Sequence, residues 1–161
     1  MIKPHGSTEL NPLYVMDGAK RAALIAEART LPSIVGSSAA AANAVMMGAG
    51  YFNPLTGFMK KADALAVAKS MKTTAGLFWP VPVLCMVTDA SGIKGARRVA
   101  LKDPNVDGNP AIAIIDVEEI AEYTDAEMAM MTQQIFRTND PKHPGVGAFN
   151  TVGKVGIAGA I

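Results

Sequence analysis

The sequence predicts an α+β fold, in which helices pack against a largely antiparallel sheet. Half of the 161 residues are hydrophobic and 18% are charged, so the chain can bury a core of about one domain and is not a disordered segment. Segments with apolar residues at helical spacing alternate with short β-branched runs. The two clearest β segments, residues 98–102 and 111–117, are joined by turn residues and not by a helix.

Four helices are predicted from their start signals and apolar spacing. They are residues 18–30 after Asp17, residues 39–47 after Ser37 or Ser38, residues 61–71, and a last helix opened by a capping box of Thr124 and Glu127, with Met128, Met131 and Ile135 on one stripe. The Ala-rich second helix runs into Gly48, which we expect to end it with a positive φ.

The remaining apolar runs predict strands. They are residues 13–15, 33–36, 77–87, 98–102 and 111–117. Pro80 and Pro82 interrupt the third run, which favours an edge or bulged strand because proline lacks a ladder donor. Asp107 and Gly108 lie in the loop 103–110, so we expect an exposed hairpin loop joining two antiparallel strands.

The C-terminal residues have a composition of their own. Residues 152–161 are rich in Gly, Val and Ile and contain Lys154 as their one charge. This composition predicts either a last strand of the same domain or the beginning of a connection to a following one. We therefore divide the chain into a domain at residues 1–151 and this tail, and expect Val155 and Ile157 to pack on the domain.

Charge and cysteine content restrict the functional class. The 15 Lys and Arg against 14 Asp and Glu give a net charge of +1, which provides no strong field for nucleic acid or an acidic membrane. Cys85 is the single cysteine, so it can form no intramolecular disulfide, as is typical of a reducing compartment. The first residues lack the apolar core of a signal peptide, and no run has the ~18 apolar residues of a membrane helix, so we expect a cytoplasmic protein.

Two histidines are the first candidates for chemistry. His5 and His143 are far apart in the sequence, and neither has the spacing of a metal-ligand pair. They could act together only if the fold brings them into one site. The alternative for His143 is structural, because residues 140–145 have turn composition and a bond from the imidazole to the backbone would fix the turn.

The run Gly48-Ala49-Gly50 invites comparison with a phosphate-binding loop. The third glycine of such a motif would stand where this chain has Asn53, no Walker lysine follows, and the run comes after a predicted helix instead of a strand. We therefore interpret both glycines as structural.

The other candidates have structural interpretations as well. Cys85 lies in an apolar run without an adjacent base and is expected to be inert. Trp79 and Phe78 are expected in the core. The basic pairs Arg97-Arg98 and Lys60-Lys61 are typical of a solvated edge, with an inter-domain or phosphate contact as the alternative. From its residues alone, the chain is predicted to hold no catalytic, cofactor-binding or metal-binding residue.

Several segments together nevertheless resemble one family. They are residues 2–6, 43–59 (NAVMMGAGYFNPLTGFM), 76–83, 99–104, 114–120 and 138–146. In this order they are similar to the N-terminal region of ATP sulfurylase (sulfate adenylyltransferase), and the Ala-rich residues 37–47 most resemble the forms from sulfur-oxidising bacteria. The resemblance extends over essentially the whole chain.

The resemblance implies a PUA-like domain, a small mixed β-barrel with flanking helices, followed in the family by a catalytic α/β domain. The family joins ATP and sulfate into adenosine 5′-phosphosulfate and pyrophosphate with Mg²⁺. Its Gln-x-Arg-Asn, His-x-x-His and Gly-Arg-Asp motifs do not occur in this chain, where Gln134 is followed by Ile135 and Phe136. The implied role is a non-catalytic scaffold without its own cofactor. Its implied partner is the enzyme's catalytic domain, and the whole enzyme is expected to be a homo-oligomer. Residues 159–161 are expected to contact that catalytic domain or a neighbouring chain.

Two alternatives come from other classes. A free-standing PUA-like module could bind RNA, although a binder of phosphate backbones should carry more than one net positive charge. An independent small-molecule binding domain would need a polar cluster that the sequence does not indicate.

Overall fold

A six-stranded mixed sheet forms the centre of the fold in the computed structural model, which describes residues 2–161. Its strands are β1 (Ser33–Val35), β2 (Gly57–Phe58), β3 (Met86–Val87), β4 (Arg98–Lys102), β5 (Ala111–Glu122) and β6 (Val155–Ala160). The spatial order is β1-β4-β5-β6-β2, and β3 pairs with β6 as well. The pairing of β1 with β4 is parallel and the other four pairings are antiparallel.

Strand β6 lies inside this sheet. It pairs along one side with β5, where Ile157 is opposite Ile120, and along the other side with both β3 and β2. Ile157 is buried and Val155 is half-buried, so both pack on this domain as expected. Gly159 is also buried, between β5 and β2. Of the last three residues, Ala160 and Ile161 are the ones that remain partly exposed.

The β4–β5 hairpin is confirmed. Ala100 is opposite Ile114, and the N–H of Asp103 donates to the carbonyl of Pro110 across the base of the loop at 3.0 Å. Gly108 has φ +78°, a left-handed conformation that glycine adopts readily in such a turn. Strand β5 continues five residues beyond its predicted end, and a register shift interrupts its pairing with β6.

The sheet does not close into a barrel. Strand β1 is at one end of the order, and β2 and β3 are at the other, with no pairing between the ends within residues 2–161. The mixed β-barrel implied by the family resemblance is therefore wrong for this chain. What remains is an open mixed sheet with flanking helices.

Five α-helices occur in the described part of the chain. They are α1 (Gly18–Ala28), α2 (Ser38–Gly48), α3 (Lys61–Ser70), α4 (Asp125–Phe136) and α5 (Pro144–Thr151), and a short 3₁₀ turn covers Ser91–Ile93. Asp17 and Ser37 cap α1 and α2 as predicted, by accepting from the N–H groups of Lys20 and Ala40. The capping box of α4 is present in full.

Helix α5 was not predicted. Residues 140–145 look like a turn, yet Pro144 occupies the first helical position, where its missing N–H costs nothing. Among residues 2–161, no helix has the length and apolar composition to cross a bilayer.

Two predicted strands are wrong. Residues 13–15 form no strand, because the N–H groups of Leu13 and Tyr14 both donate to the single carbonyl of Gly48, at 2.9 and 3.0 Å. Of residues 77–87, only Met86–Val87 pairs in the sheet. The preceding residues are irregular but well packed, since Trp79 and Cys85 are buried.

Gly48 has a different structural role from the predicted one. It is the last residue of α2, and the positive φ, +81°, occurs two residues later at Gly50. A Cβ at Gly48 would lie 2.4 Å from Cε1 of Tyr14. The glycine lets the Tyr14 ring pack directly on the helix end, and a side chain at this position would displace the ring.

Candidate functional site

The two histidines lie in separate environments. His5 Nε2 is 2.8 Å from the carbonyl oxygen of Phe78, and its ring is 6.0 Å from that of Trp79. His143 instead caps α5, where its Nδ1 accepts from the N–H of Val146 at 3.4 Å. The backbone bond expected for a structural His143 is present. In residues 2–161 no three His, Cys, Asp or Glu side chains are grouped as metal ligands.

The thiol of Cys85 is enclosed by the core. The residue is 1% exposed, and burial raises the pKa of the thiol to about 12. The thiolate, which is the nucleophilic form, is therefore disfavoured at neutral pH. This agrees with the prediction of an inert cysteine.

The two adjacent aromatic residues are separated by the fold. Trp79 is buried and its ring meets Phe52 edge to face at 5.8 Å between centroids. Phe78 is 51% exposed, so its predicted place in the core is wrong. Neighbouring residues of an extended segment point to opposite sides, so one of the two faces solvent.

Both basic pairs contribute side chains to ion pairs within the chain: Lys60 and Lys61 from one and Arg98 from the other. Lys60 Nζ lies 2.7 Å from Glu118 Oε2, and Lys61 Nζ lies 2.8 Å from Glu127 Oε2. Arg98 contacts the carboxylates of both Asp116 and Glu27, and thereby links β4 to α1. These cations are neutralised locally.

Lys61 holds two helices against the sheet. Its backbone N–H, at the uncapped beginning of α3, donates to Glu119 Oε1 at 2.7 Å, so a side chain of β5 supplies the missing cap. Its ammonium group also donates to the carbonyl of Glu122 at 2.8 Å. The hydrogen bond from Lys61 holds the pKa of the Glu127 carboxyl below its usual value, and burial raises the pKa of the nearby Tyr123 hydroxyl.

A polar hollow of about 540 Å³ lies beside β1 and the 3₁₀ turn. Asp89, which lines this hollow, accepts from both the N–H and the hydroxyl of Ser91, each at 2.8 Å, and the backbone bond lowers the pKa of Asp89. In the described residues, every buried side-chain nitrogen and oxygen has a hydrogen-bond partner. The hollow therefore presents no buried group that needs a ligand.

A second hollow is a more apolar groove of about 590 Å³ between α1 and β5, which we call the α1–β5 groove. Its walls include Leu24 and Ile25 of α1 and Ile112 and Ile114 of β5, and Ile161 lines it as well. No sequence motif indicates this groove, because Ile25 and Ile161 are 136 positions apart and meet only through the fold.

Comparison with known proteins identifies the family to which this fold belongs. A family model described as a PUA-like domain matches residues 2–161. The chain belongs to the PUA-like domain family. This PUA-like domain is also similar, over 99% of its length, to a solved structure, the hexameric APS kinase from Thiobacillus denitrificans, with a TM-score of 0.65 and 26% identity. It covers 26% of that chain.

Relatives of known activity match over the whole domain. It is 56% identical to the sulfate adenylyltransferase of Alcanivorax borkumensis, 55% to that of Allochromatium vinosum and 47% to that of the Riftia pachyptila sulfur-oxidizing endosymbiont, in each case over 161 residues. The domain spans 40%, 41% and 36% of the length of these relatives, at their N-terminal ends. The family resemblance stated from the sequence motifs is confirmed, including the forms from sulfur-oxidising bacteria.

Proposed function

We propose that this PUA-like domain is the N-terminal, non-catalytic part of a sulfate adenylyltransferase, the enzyme that interconverts ATP and sulfate with adenosine 5′-phosphosulfate and pyrophosphate. The observation that carries the proposal is 56% identity to such an enzyme across all 161 residues. Because this identity extends over the full 161 residues, it favours an N-terminal part of the same enzyme over a free-standing RNA-binding module.

The ion pairs support a scaffold role. Attack of sulfate on the α-phosphorus of ATP accumulates negative charge, and enzymes stabilise such charge with several convergent cationic donors. Here Arg98, Lys60 and Lys61 are each bound to carboxylates of the same domain. A phosphate group would have to displace these partners, which supports the proposal that ATP and Mg²⁺ bind in the part of the enzyme that follows this domain.

The domain's own contribution is to present a rigid surface. Central strand β6 ends at Ala160, so a segment that follows Ile161 starts from the middle of the sheet and not from a loose terminus. We further propose that the whole protein is cytoplasmic and a homo-oligomer. The hexameric assembly named for the similar Thiobacillus denitrificans structure supports the second point.

A chimera tests the proposal. This chain would replace the matching N-terminal 40% of the Alcanivorax borkumensis enzyme, and synthesis of ATP from adenosine 5′-phosphosulfate and pyrophosphate would be measured for the chimera, the parent enzyme and the 161-residue chain alone. We expect activity in the chimera and none in the isolated chain.

Turnover by the isolated chain at a rate comparable to the parent would refute the scaffold role. A folded but inactive chimera would refute the assignment to this enzyme. A gel shift of structured RNA by the isolated chain, weakened by salt, would instead support the RNA-binding alternative.

A further inference from the structure

Helix α1 buries little of its surface against the domain. Ala28 is its one buried residue, although the helix carries several alanines together with Leu24 and Ile25. Ile25 is 48% exposed, and Met16, just before the helix, is 83% exposed. A surface helix ordinarily buries an apolar stripe, so α1 has apolar surface that this domain does not cover.

The sheet wall of the groove also carries apolar side chains that the domain covers only in part. Ile112 and Ile114 project from the same side of β5 and are each half-buried. Asp116, two residues further along that side, binds Arg98, which also binds Glu27 of α1. These ion pairs join helix and strand across the groove, which stabilises its width.

The position of Ile161 indicates what would occupy the groove. This residue lines the groove directly after β6, and its N–H donates to the carbonyl of Thr56 at 2.9 Å, so its backbone is fixed there. In the matched relatives, about three-fifths of the polypeptide follows the corresponding position. A segment that starts inside the groove binds it at high effective concentration.

We infer that the α1–β5 groove is the docking surface for the segment that follows the position of Ile161 in the whole enzyme. This inference rests on the proposed function. The segment that fits would place apolar side chains between Ile25 and Ile114 and an acidic group near Lys20 and Arg21, which are exposed at the rim. Docking there would fix the catalytic domain relative to the sheet.

Hydrogen exchange in the chimera tests the inference. Amide exchange would be compared between the 161-residue chain and the chimera, with α3 as an internal control because its residues do not line the groove. We expect exchange in α1 to slow by about ten-fold or more in the chimera, and exchange in α3 to change little. The adenylyltransferase assay on the same sample reports the proposed function independently.

Paired variants localise the effect. Met16→Gln with Ile25→Gln makes the groove polar, and Val45→Gln with Met46→Gln makes the same kind of change on exposed apolar residues of α2 outside it. In the chimera, the first pair should abolish the added protection of α1 and lower the Tm, while the second pair should do neither. In the 161-residue chain, both pairs should leave the Tm nearly unchanged, since all four side chains are exposed.

Three results would overturn the inference. An active chimera in which α1 exchanges as fast as in the isolated chain would reject the groove while leaving the proposed function intact. Protection of α1 that grows with the concentration of the isolated chain would assign the groove to a second copy instead. An inactive chimera without added protection would reject both the proposed function and the docking surface.

Discussion

Lys61 Nζ lies 2.8 Å from Glu127 Oε2, and this contact joins the first residue of α3 to the capping box of α4. The same Glu127 oxygen accepts from the N–H of Thr124 at 2.8 Å, so one carboxylate both begins a helix and holds a second helix beside it. A neighbouring ion pair, Lys60 with Glu118, has the same chemistry, but Glu118 belongs to no capping box and both side chains are half exposed.

These two ion pairs provide a matched comparison. Glu127→Ala should lower the free energy of unfolding by about 1–2 kcal/mol, because it removes half of a capping box together with the bond to Lys61. Glu118→Ala should produce no measurable change, since exposed ion pairs contribute little. Urea unfolding followed by circular dichroism measures both. Equal losses in the two variants would contradict the role given to Glu127.

The pH dependence of stability should contain a contribution from Glu127. Its pKa is lowered in the folded state, by the hydrogen bond from Lys61 first, so its stabilising effect is complete above the ordinary value of 4.5 and is lost as the pH falls through the lowered folded value. Wild type should therefore exceed Glu127→Gln in stability at pH 7, and the difference should shrink below pH 4.5. Urea midpoints of both proteins across this range measure it. A difference that is constant with pH would show that the charge of Glu127 is irrelevant.

Gly48 and Tyr14 should be energetically coupled. Alanine is the better helix former, yet its Cβ at position 48 would meet the Tyr14 ring at 2.4 Å. We expect Gly48→Ala to destabilise the protein by about 1 kcal/mol, and the same change in a Tyr14→Ala background to be neutral or stabilising. A double-mutant cycle from urea unfolding measures the coupling. The same effect of Gly48→Ala in both backgrounds would disprove it.

Cys85 should react only after unfolding. The thiol is 1% exposed and its pKa is raised to about 12, so both access and thiolate formation are suppressed in the native protein. Iodoacetamide at pH 8 should leave the native mass unchanged and add one carbamidomethyl group in 8 M urea, as observed by intact-protein mass spectrometry. Rapid alkylation of the native protein, at the rate of the unfolded chain, would show that the core around Cys85 opens readily.

The sequence predicts best where the signal is local. The capping box of α4 and the Asp107-Gly108 turn were predicted correctly because the residues that make the contacts are within a few positions of one another. Helix α5 was missed because Pro144 and Gly145 have turn composition, and the cap supplied by His143 is an uncommon one.

Elements that depend on distant partners could not be predicted in this way. Residues 77–87 are apolar enough for a strand, but most of them are buried by packing in the core, and only Met86 and Val87 form ladder pairs with β6. The parallel pairing of β1 with β4 could not be predicted, because a strand of three residues is too short for its sequence to indicate the direction of pairing. The α1–β5 groove has the same origin, since its walls come from both ends of the chain.

The position of β6 also has a consequence for synthesis on the ribosome. Strands β2, β3 and β5 are all complete once residue 122 has been added, but each lacks a neighbour until residues 155–160 emerge and insert between them. A nascent chain arrested at residue 152 would expose three strand edges at once, the kind of surface that chaperones bind and that aggregates. In a longer protein, this domain would complete its fold only while the next domain is already entering the exit tunnel.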